Sequence, residues 1–403
     1  MTALNQRELN ATQGKEGHSE ISVKFGAAPH ESVLVSIFQR GAADGLNSVV
    51  PYGDKDYRVH RPGIRIPGPN EVNGALDLDG FFGLNPNLAA MHSLYQQGNL
   101  AIVHACGIPH GSRSHFKAQT LVEQASQGQL DLTGGWLGRH YQIAHGLTPP
   151  QSAYCVVAIS GSLPVALTGT PAPMALANIA DFFADDRLLT SGYEDIMQSL
   201  FSHQGVPMGG VANVAIDAFN ELAGAALQLT GPSNGAVYPD SQLGGSLRQA
   251  AQLIKSDLPV ETIVLDSPGW DHHENIAYYL PRSLLDLDQS VSAFLQDLGA
   301  LTENVTVLVH TEFGRRVREN ASLGVDHGTG GVVYVMGAKV NGGQMYGQWP
   351  TLGYNALDQG EDLRITTDLR SIYAEILSKR LGATDLDSIL PGFAGPTDLG
   401  ILT

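Results

Sequence analysis

Carboxylate, imidazole and hydroxyl side chains are concentrated just beyond four apolar segments of the chain. In chain order these side chains are Asp44; Ser112, Ser114 and His115; Asp271, His272 and His273; and Glu312, Asp326 and His327. Carboxylates and imidazoles are common ligands of divalent metal ions in proteins. A neighbouring serine hydroxyl adds a nucleophile that a metal ion can activate. This combination of residue types predicts a hydrolase site of the two-metal type.

Residues 305–331 contain the densest part of this pattern. A run of β-forming residues ends at Glu312, two arginines follow, and Asp326 and His327 come next among glycines. A buried strand that ends at a carboxylate suits a metal ligand. The alternative is that Glu312 pairs with Arg315 or Arg316, and that Asp326 and His327 form an ordinary turn.

The serine candidates lie where a helical pattern begins. Ser114 stands at the start of this pattern, and Ser112 lies two residues before Ser114. Serine is a preferred helix N-cap, so capping alone explains one of the two. The same place suits a nucleophile, because free N–H groups and the helix dipole stabilise an anion. Arg113 and Arg315 are candidates for binding a tetrahedral oxyanion, and His115 is a further catalytic candidate.

Two other candidates have open alternatives. Asp44 follows a strand and lies between small residues, where α/β folds place ligand-binding groups, but an Asx turn would also explain it. Three titratable residues in succession, from Asp271 to His273, favour a metal site over a loop histidine. The sequence does not decide between His272 and His273 as the ligand.

The positions of these candidates follow from the predicted secondary structure. Six apolar segments predict strands, at residues 32–38, 100–106, 154–159, 261–266, 305–309 and 332–336. Helical patterns are predicted at residues 87–97, from 114, from 134, and at 193–203, 211–229, 245–255, 282–298 and 368–381. Strands this continuously apolar are typical of a parallel sheet buried on both faces. Because parallel strands have their carboxyl ends at one edge, the candidate residues can converge there.

Composition narrows the classes of partner. The 403 residues carry a formal charge of −17, which argues against nucleic acid as a partner. A small anionic substrate remains compatible with this negative charge, because bound metal ions can reverse the sign of the local electrostatic field. No run of eighteen apolar residues predicts a membrane span. The polar first residues have no secretory signal, so a cytoplasmic location is expected, or a periplasmic one if a leader has been removed. Cys106 and Cys155 predict buried thiols, and oligomeric state has no readable signal.

Five motifs resemble those of a known family. RGAADGLN, SRSHF, TGGWLGR, GWDHH and TEFGRRVREN…DHGTGG are similar to motifs of a broad bacterial family of unknown function, generally described as sulfatase-like, within the alkaline phosphatase superfamily. The resemblance extends from residue 33 to about residue 390. It implies an α/β fold, a three-layer α/β/α sandwich of alkaline phosphatase type with a mixed, mostly parallel sheet and a bimetal site. We expect a polar lead-in at residues 1–30 and one domain at 31–403, with a helical insertion at about 160–258.

The resemblance also implies roles for individual residues. Ser114 lies near the nucleophile position, and the implied metal ligands are Asp44, Asp271, His273 or His272, Glu312 and His327, with Asp326 beside the last. The chain departs from the pattern at Phe313, where the superfamily commonly has a histidine. Cys106-Gly-Ile-Pro-His110 also lacks the spacing and the arginine of the sulfatase signature, and the twin-arginine export signal of many members is missing.

The leading hypothesis is a metal-dependent hydrolase of a phosphate or sulfate ester with a serine nucleophile. Its cofactor would be one or two divalent ions, with Zn²⁺, Mn²⁺, Mg²⁺ and Ca²⁺ not distinguished. The alternatives are a metal-dependent isomerase, mutase or lyase on the same scaffold, and a non-catalytic relative that binds an anion or a sugar.

Overall fold

A computed structural model describes residues 32–128, 132–146, 152, 154–179, 231–256 and 258–403. The expected lead-in at 1–30 and the helices predicted at 193–203 and 211–229 lie outside the described residues. Most of the insertion expected at 160–258 lies outside them as well.

The described residues form twelve strands and nine α-helices, numbered here in chain order. The strands are β1 (Val33–Gln39), β2 (Val49–Val50), β3 (Leu76–Asp77), β4 (Gly83–Leu84), β5 (Leu100–Gly107), β6 (Val156–Ile159), β7 (Met174–Ala175), β8 (Thr262–Ser267), β9 (Val305–Thr311), β10 (Gly331–Met336), β11 (Gln344–Tyr346) and β12 (Thr367–Asp368). The helices are α1 (Gly45–Ser48), α2 (Lys55–His60), α3 (Ala89–Gln96), α4 (His115–Glu123), α5 (Trp136–His145), α6 (Gln242–Lys255), α7 (Ile276–Leu298), α8 (Leu369–Lys379) and α9 (Leu386–Ile389).

The main sheet has the strand order β11-β5-β10-β9-β1-β8-β6-β7, and β12 pairs with β5 outside this path. Strand β1 lies between β8 and β9, and Val35 pairs with Ile263 on one side and with Val307 on the other. All pairings in the main sheet are parallel except those of β10, which is antiparallel to both β5 and β9. The α/β class and the mixed, mostly parallel sheet expected from the sequence are therefore confirmed.

Apolar residues cover both faces of this sheet. Along β1, Val33, Val35 and Ile37 belong to one buried cluster, while Leu34 and Phe38 belong to another. The first cluster includes side chains of α3, α6 and α7, and the second includes side chains of α4, α5, α8 and α9. Alternate residues of a strand point to opposite faces, so a strand with no polar face must be buried between two layers of helices. The result is a three-layer arrangement.

Three segments differ from the predicted elements. Residues 51–84, expected to contain no helix, include α2, and β2, β4 and β3 form a small antiparallel sheet. Helix α7 begins six residues before the predicted start at 282 and contains Pro281. Pro281 is the sixth residue of this helix, beyond the first turn, so the helix lacks the hydrogen bond that an N–H there would make to the carbonyl of Ala277. In the described part of the insertion, β7 extends the main sheet and α6 packs against α7, so these elements belong to the layers.

Two further expectations concern cysteines and membranes. Cys106 and Cys155 are both buried and form no disulfide, as expected. Within the described part of the chain, every helix is too short or too polar to cross a bilayer.

Candidate metal centre

The candidate site lies at one edge of the main sheet. The carboxyl ends of β5, β8 and β9 meet there, because these strands are mutually parallel in the sheet. The antiparallel direction of β10 brings its amino end to the same edge, so the chain returns there after β9. Three loops therefore bring His115, Asp271, His273 and His327 together, although these loops lie far apart in the sequence.

Three imidazole nitrogens and one carboxylate oxygen converge at this edge. His327 Nε2 lies 2.9 Å from His115 Nε2 and 2.8 Å from His273 Nε2. The Oδ1 atom of Asp271 lies 3.4 Å from His115 Nε2, 3.1 Å from His273 Nε2 and 3.3 Å from His327 Nε2. Ligands of a tetrahedral zinc ion are about 3.3 Å apart, since each lies about 2.0–2.1 Å from the metal. These five separations are close to those between ligands of one tetrahedral ion. His115, Asp271 and His327 form the group whose ligand atoms all lie within 4.8 Å of one another, and His273 adjoins it through His327 and Asp271.

The other nitrogen of each ring faces a hydrogen-bond acceptor. The Nδ1 atom of His115 lies 2.7 Å from Glu312 Oε1, and that of His273 lies 3.2 Å from Asp326 Oδ1. His327 Nδ1 lies 2.7 Å from the carbonyl oxygen of Arg113. An acceptor at Nδ1 assigns the proton to that atom, so each neutral ring keeps its lone pair on Nε2. Three lone pairs and a carboxylate oxygen that face one another form an arrangement that could hold a cation, and an acceptor behind each ring is the usual environment of metal-binding histidines.

Glu312 is the acceptor behind His115. Its carboxylate is fully buried, and Oε1 accepts hydrogen bonds from His115, from the Gly41 N–H at 2.9 Å and from Gln119 at 3.0 Å. Oε2 accepts the Thr311 hydroxyl at 2.8 Å. Burial raises the pKa of Glu312, but the hydrogen bonds from His115 and Gln119 outweigh it and lower the pKa to about 2. The same contact raises the pKa of His115.

Phe313 packs against the metal-facing rings. Its ring is stacked on His115 with centroids 5.1 Å apart and is tilted against His327 at the same distance. Ala42 and Ala118 complete a small buried cluster around it. The residue found where a histidine ligand was expected therefore forms an apolar wall that restricts the orientation of two imidazoles.

Arg315 holds Asp271 from the protein side. Its Nη2 atom lies 2.5 Å from Asp271 Oδ1, and its other bonds are to the backbone carbonyls of Gly41, Ala42 and Val325. The side chain is buried. Although partial burial raises the pKa of Asp271, the hydrogen bond and charge of Arg315 lower it to about 2. The expected role of Arg315 as an open anion clamp is not supported, because its donors are already occupied.

Residues 85–379 match the model of a family described as "Protein of unknown function (DUF1501)". The chain belongs to the DUF1501 family. No curated protein matches it.

Two solved structures similar to this DUF1501 member are of the C-terminal periplasmic domain of EcEptC from Escherichia coli. The structure in complex with Zn is 10% identical, with 78% of this chain and 74% of that chain covered and a TM-score of 0.35. The structure without Zn in its description is 9% identical, with 92% and 88% covered and a TM-score of 0.41. Scores this low carry no argument about fold or function.

Asp44 was expected to bind metal, but it lies in a buried ion pair. Arg61 donates to both of its carboxylate oxygens, at 2.5 and 2.8 Å, and the Asn47 N–H donates to Oδ2. Asp44 is 1% exposed and Arg61 is fully buried. The carboxylate therefore caps α1 and neutralises an arginine, and it is not one of the converging ligands.

Three other expected ligands also lie away from the converging atoms. Glu312 and Asp326 hold the far sides of His115 and His273, since their oxygens face Nδ1 atoms. His272 is buried with Nε2 3.5 Å from the Ser283 hydroxyl, and burial lowers its pKa to about 4. The geometry therefore favours His273 over His272. It also moves His115 from a catalytic candidate to a ligand candidate.

The serine candidates lie beside the cluster in this DUF1501 chain. Ser114 is exposed and is the N-cap residue of α4, but its side chain makes no capping hydrogen bond. Its N–H donates to Ser112 Oγ at 3.3 Å. Arg113 pairs with Asp362 at 2.5 Å and is about one-third exposed, while its carbonyl holds His327. Capping by the hydroxyl, the alternative explanation for Ser114, does not occur.

A cavity of about 400 Å³ adjoins the cluster. Ile108, Phe313 and Ile365 give it apolar walls, and Ser112, Asp358 and Arg364 add polar groups. Phe313 separates this space from the imidazoles of His115 and His327, so a ligand in the cavity would lie beside the candidate metal ligands.

Sequence reasoning missed several residues that support the ligands. Gln119 lies one helical turn after His115 and donates to the same oxygen of Glu312, a spacing that could have been recognised. Asn320 donates to Asp326 Oδ1 at 3.0 Å and to the carbonyl of His273 at 2.8 Å. Nothing in its local sequence indicates this role. Arg61 lies in residues 51–84, the segment after β2, and the sequence around it contains no motif that indicates its role.

Proposed function

We propose that this DUF1501 member is a metal-dependent hydrolase of a phosphate or sulfate ester, on a scaffold of the alkaline phosphatase type. The observation that carries the proposal is the convergence of three imidazole Nε2 atoms whose Nδ1 atoms all face acceptors. His115, Asp271, His273 and His327 would hold the divalent ion. A bound ion would supply a concentrated positive charge for an oxyanion and would make a nearby hydroxyl more acidic.

The chain contributes a nucleophile and a place for the substrate. We assign the nucleophile to Ser114, because it is exposed, directly precedes His115 and leaves its hydroxyl unused for capping. The free N–H groups at the start of α4 stabilise negative charge near this hydroxyl. The adjoining cavity would take the organic part of the ester, and Arg364 would face an anionic group there. The substrate is thus proposed to be a small anionic ester.

The test combines metal analysis with substrate turnover. We expect the purified protein to retain a divalent metal and to cleave an aryl phosphate, a phosphodiester or an aryl sulfate. Ser114→Ala is expected to lower kcat by about 100-fold or more, in the range typical when a nucleophile is removed. Ser93→Ala is the matched control, because Ser93 is an exposed serine in α3, before the amino end of β5 and away from the site, and this variant is expected to retain wild-type activity.

Mass spectrometry distinguishes the proposed reaction from its alternatives. A phosphoryl or sulfuryl group trapped on the peptide that contains Ser114 would support a serine nucleophile. Full activity of Ser114→Ala on a substrate that isomerises or undergoes elimination would replace the hydrolase with an isomerase, mutase or lyase. A folded protein that binds no metal and turns over none of the three substrates would refute the proposal.

A further inference from the structure

We infer that this site binds a single metal ion, and that the guanidinium of Arg61 takes the place of a second cation at Asp44. The inference rests on the proposed metal-dependent function. It differs from the two-metal site that the sequence motifs imply, because Asp44, one of the expected metal ligands, is permanently paired with Arg61.

The first argument is that the carboxylate of Asp44 is held in a buried ion pair. Arg61 bonds to both carboxylate oxygens, and it is itself held by the carbonyls of Val317 and Arg316 and by Asn47 Oδ1. Every nitrogen of this guanidinium has an acceptor within the fold. To bind a metal ion, Asp44 would have to give up its contacts with a fully buried positive charge, whose other hydrogen bonds go to uncharged carbonyl and amide oxygens.

The second argument is that the other expected ligands are also occupied. Both oxygens of Glu312 accept hydrogen bonds, and Asp326 Oδ1 accepts one from Asn320 and faces His273 Nδ1. His272 lies against Ser283. Within the described ranges of the chain, His115, Asp271 and His327 form the only group of three or more His, Cys, Asp or Glu side chains that could hold a metal.

The third argument is electrostatic. Arg315 is a buried cation in contact with Asp271 Oδ1, the carboxylate oxygen of the cluster. Because its guanidinium is fixed by backbone carbonyls, it cannot move away when a metal ion binds. Asp271 therefore already has one cationic partner in addition to the proposed ion. A second divalent ion on the same carboxylate would bring three cationic groups together in a partly buried site, where like charges repel strongly.

The experiment measures stoichiometry without relying on activity. Metal-depleted protein is loaded with Zn²⁺, separated from free ion and analysed by plasma mass spectrometry, and a Zn²⁺ titration is followed by calorimetry. We expect one ion per chain and a single binding step. Loading with Mn²⁺ is expected to give the paramagnetic resonance spectrum of an isolated ion, without the exchange coupling of a paired site.

A double variant tests Asp44 directly. Asp44→Asn combined with Arg61→Gln removes both buried charges, so neither is left unpaired. We expect it to bind one Zn²⁺ with an affinity within about three-fold of the wild type, whereas Asp271→Asn lowers the affinity by at least about ten-fold. If the double variant fails to fold, the wild-type stoichiometry and the Mn²⁺ spectrum still decide the question.

The outcomes separate this inference from the proposed function. Two ions per chain, or an exchange-coupled Mn²⁺ spectrum, would overturn the inference and leave metal-dependent hydrolysis standing. Loss of metal from the double variant would overturn it in the same way. Failure of the wild type to bind any divalent ion would remove the proposed function itself.

Discussion

The three histidines of the cluster differ in the acceptor that holds Nδ1. His115 and His273 face carboxylates, whereas His327 faces the carbonyl oxygen of Arg113. A carboxylate partner makes the opposite nitrogen a stronger base and a stronger metal ligand. Of the two carboxylates, Glu312 is fully buried while Asp326 is half-exposed, so the contact with His115 is the one most protected from water.

Replacing Glu312 by glutamine tests this contact. Glu312→Gln keeps the shape of the side chain but removes its negative charge. The amide hydrogens would also face the groups that donate to Oε1, which are His115, Gln119 and the Gly41 N–H. His115 would therefore lose the contact that orients its ring. We expect the metal affinity to fall by about 10- to 100-fold, the range found when a partner behind a metal ligand is replaced. Competition with a chromophoric chelator measures the change.

Glu303→Gln is the matched control. Glu303 is exposed and lies at the amino end of β9, opposite the end that carries the site. This variant is expected to retain wild-type affinity. An unchanged affinity in Glu312→Gln would show that Glu312 does not orient a ligand.

For individual residues, the sequence indicated which types of side chain lie at the site, but not how the imidazole rings are oriented. The pattern identified Asp271, His273 and His327, which do converge. It could not show that His115 turns Nε2 toward them, because that orientation depends on a carboxylate from another strand. Nor could it show that Glu312 is turned away, since a carboxylate after a strand has the same pattern whether it faces a metal or an imidazole.

Among the elements, six of the nine strands of the main sheet (β1, β5, β6, β8, β9 and β10) were the most predictable part. Each is a continuous apolar run buried on both faces, and β5 and β10 lie within one residue of their predicted bounds. The direction of β10 was not predictable from its composition. It depends on the loop that leaves β9 and returns beside it, a tertiary contact that local periodicity does not encode.

Two of these strands and one helix each carry a buried histidine that remains neutral. They are His104 in β5, His140 in α5 and His310 in β9, and burial lowers their pKa values from 6.5 to about 4, about 4 and about 3. Unfolded histidines take up protons near pH 6.5, so below that value the unfolded state binds more protons than the folded state. Acidification therefore favours unfolding.

We expect the free energy of unfolding to fall by about 1 kcal/mol for each of these histidines between about pH 7 and about pH 5.5. Urea denaturation of the metal-depleted protein measures this fall without interference from metal release. His310→Gln, which removes one titrating group and keeps a hydrogen-bonding side chain beside Ser36, is expected to reduce the slope. The same stability at both pH values would contradict the neutral burial of these rings.

For the whole molecule, the candidate ligands join three distant parts of the chain. His115 begins α4, Asp271 and His273 follow β8, and His327 precedes β10. A ligand that binds only the folded state stabilises it, by about 4 kcal/mol when the free ion is present at 1,000 times its dissociation constant. We therefore expect a chelator to lower the melting temperature of the protein, as measured by circular dichroism.

The variant Asp271→Asn checks the origin of that shift. Because it weakens metal binding, its melting temperature is expected to respond much less to the chelator than that of the wild type. An equal response in both proteins would place the stabilising ion elsewhere in the molecule.

The loop between β9 and β10 also joins the segment after β8 through its backbone. The N–H groups of Asn275 and Ile276 donate to the carbonyls of Ser322 and Leu323, and the N–H of Val325 donates to the carbonyl of His272. One side of this ladder carries Asp271 and His273 and the other carries His327. Separating these two backbone segments would therefore move Asp271 and His273 away from His327 in one step. For a bound ion, we therefore expect the rate of release to be limited by the opening of this ladder, so that release and local unfolding would be a single kinetic event.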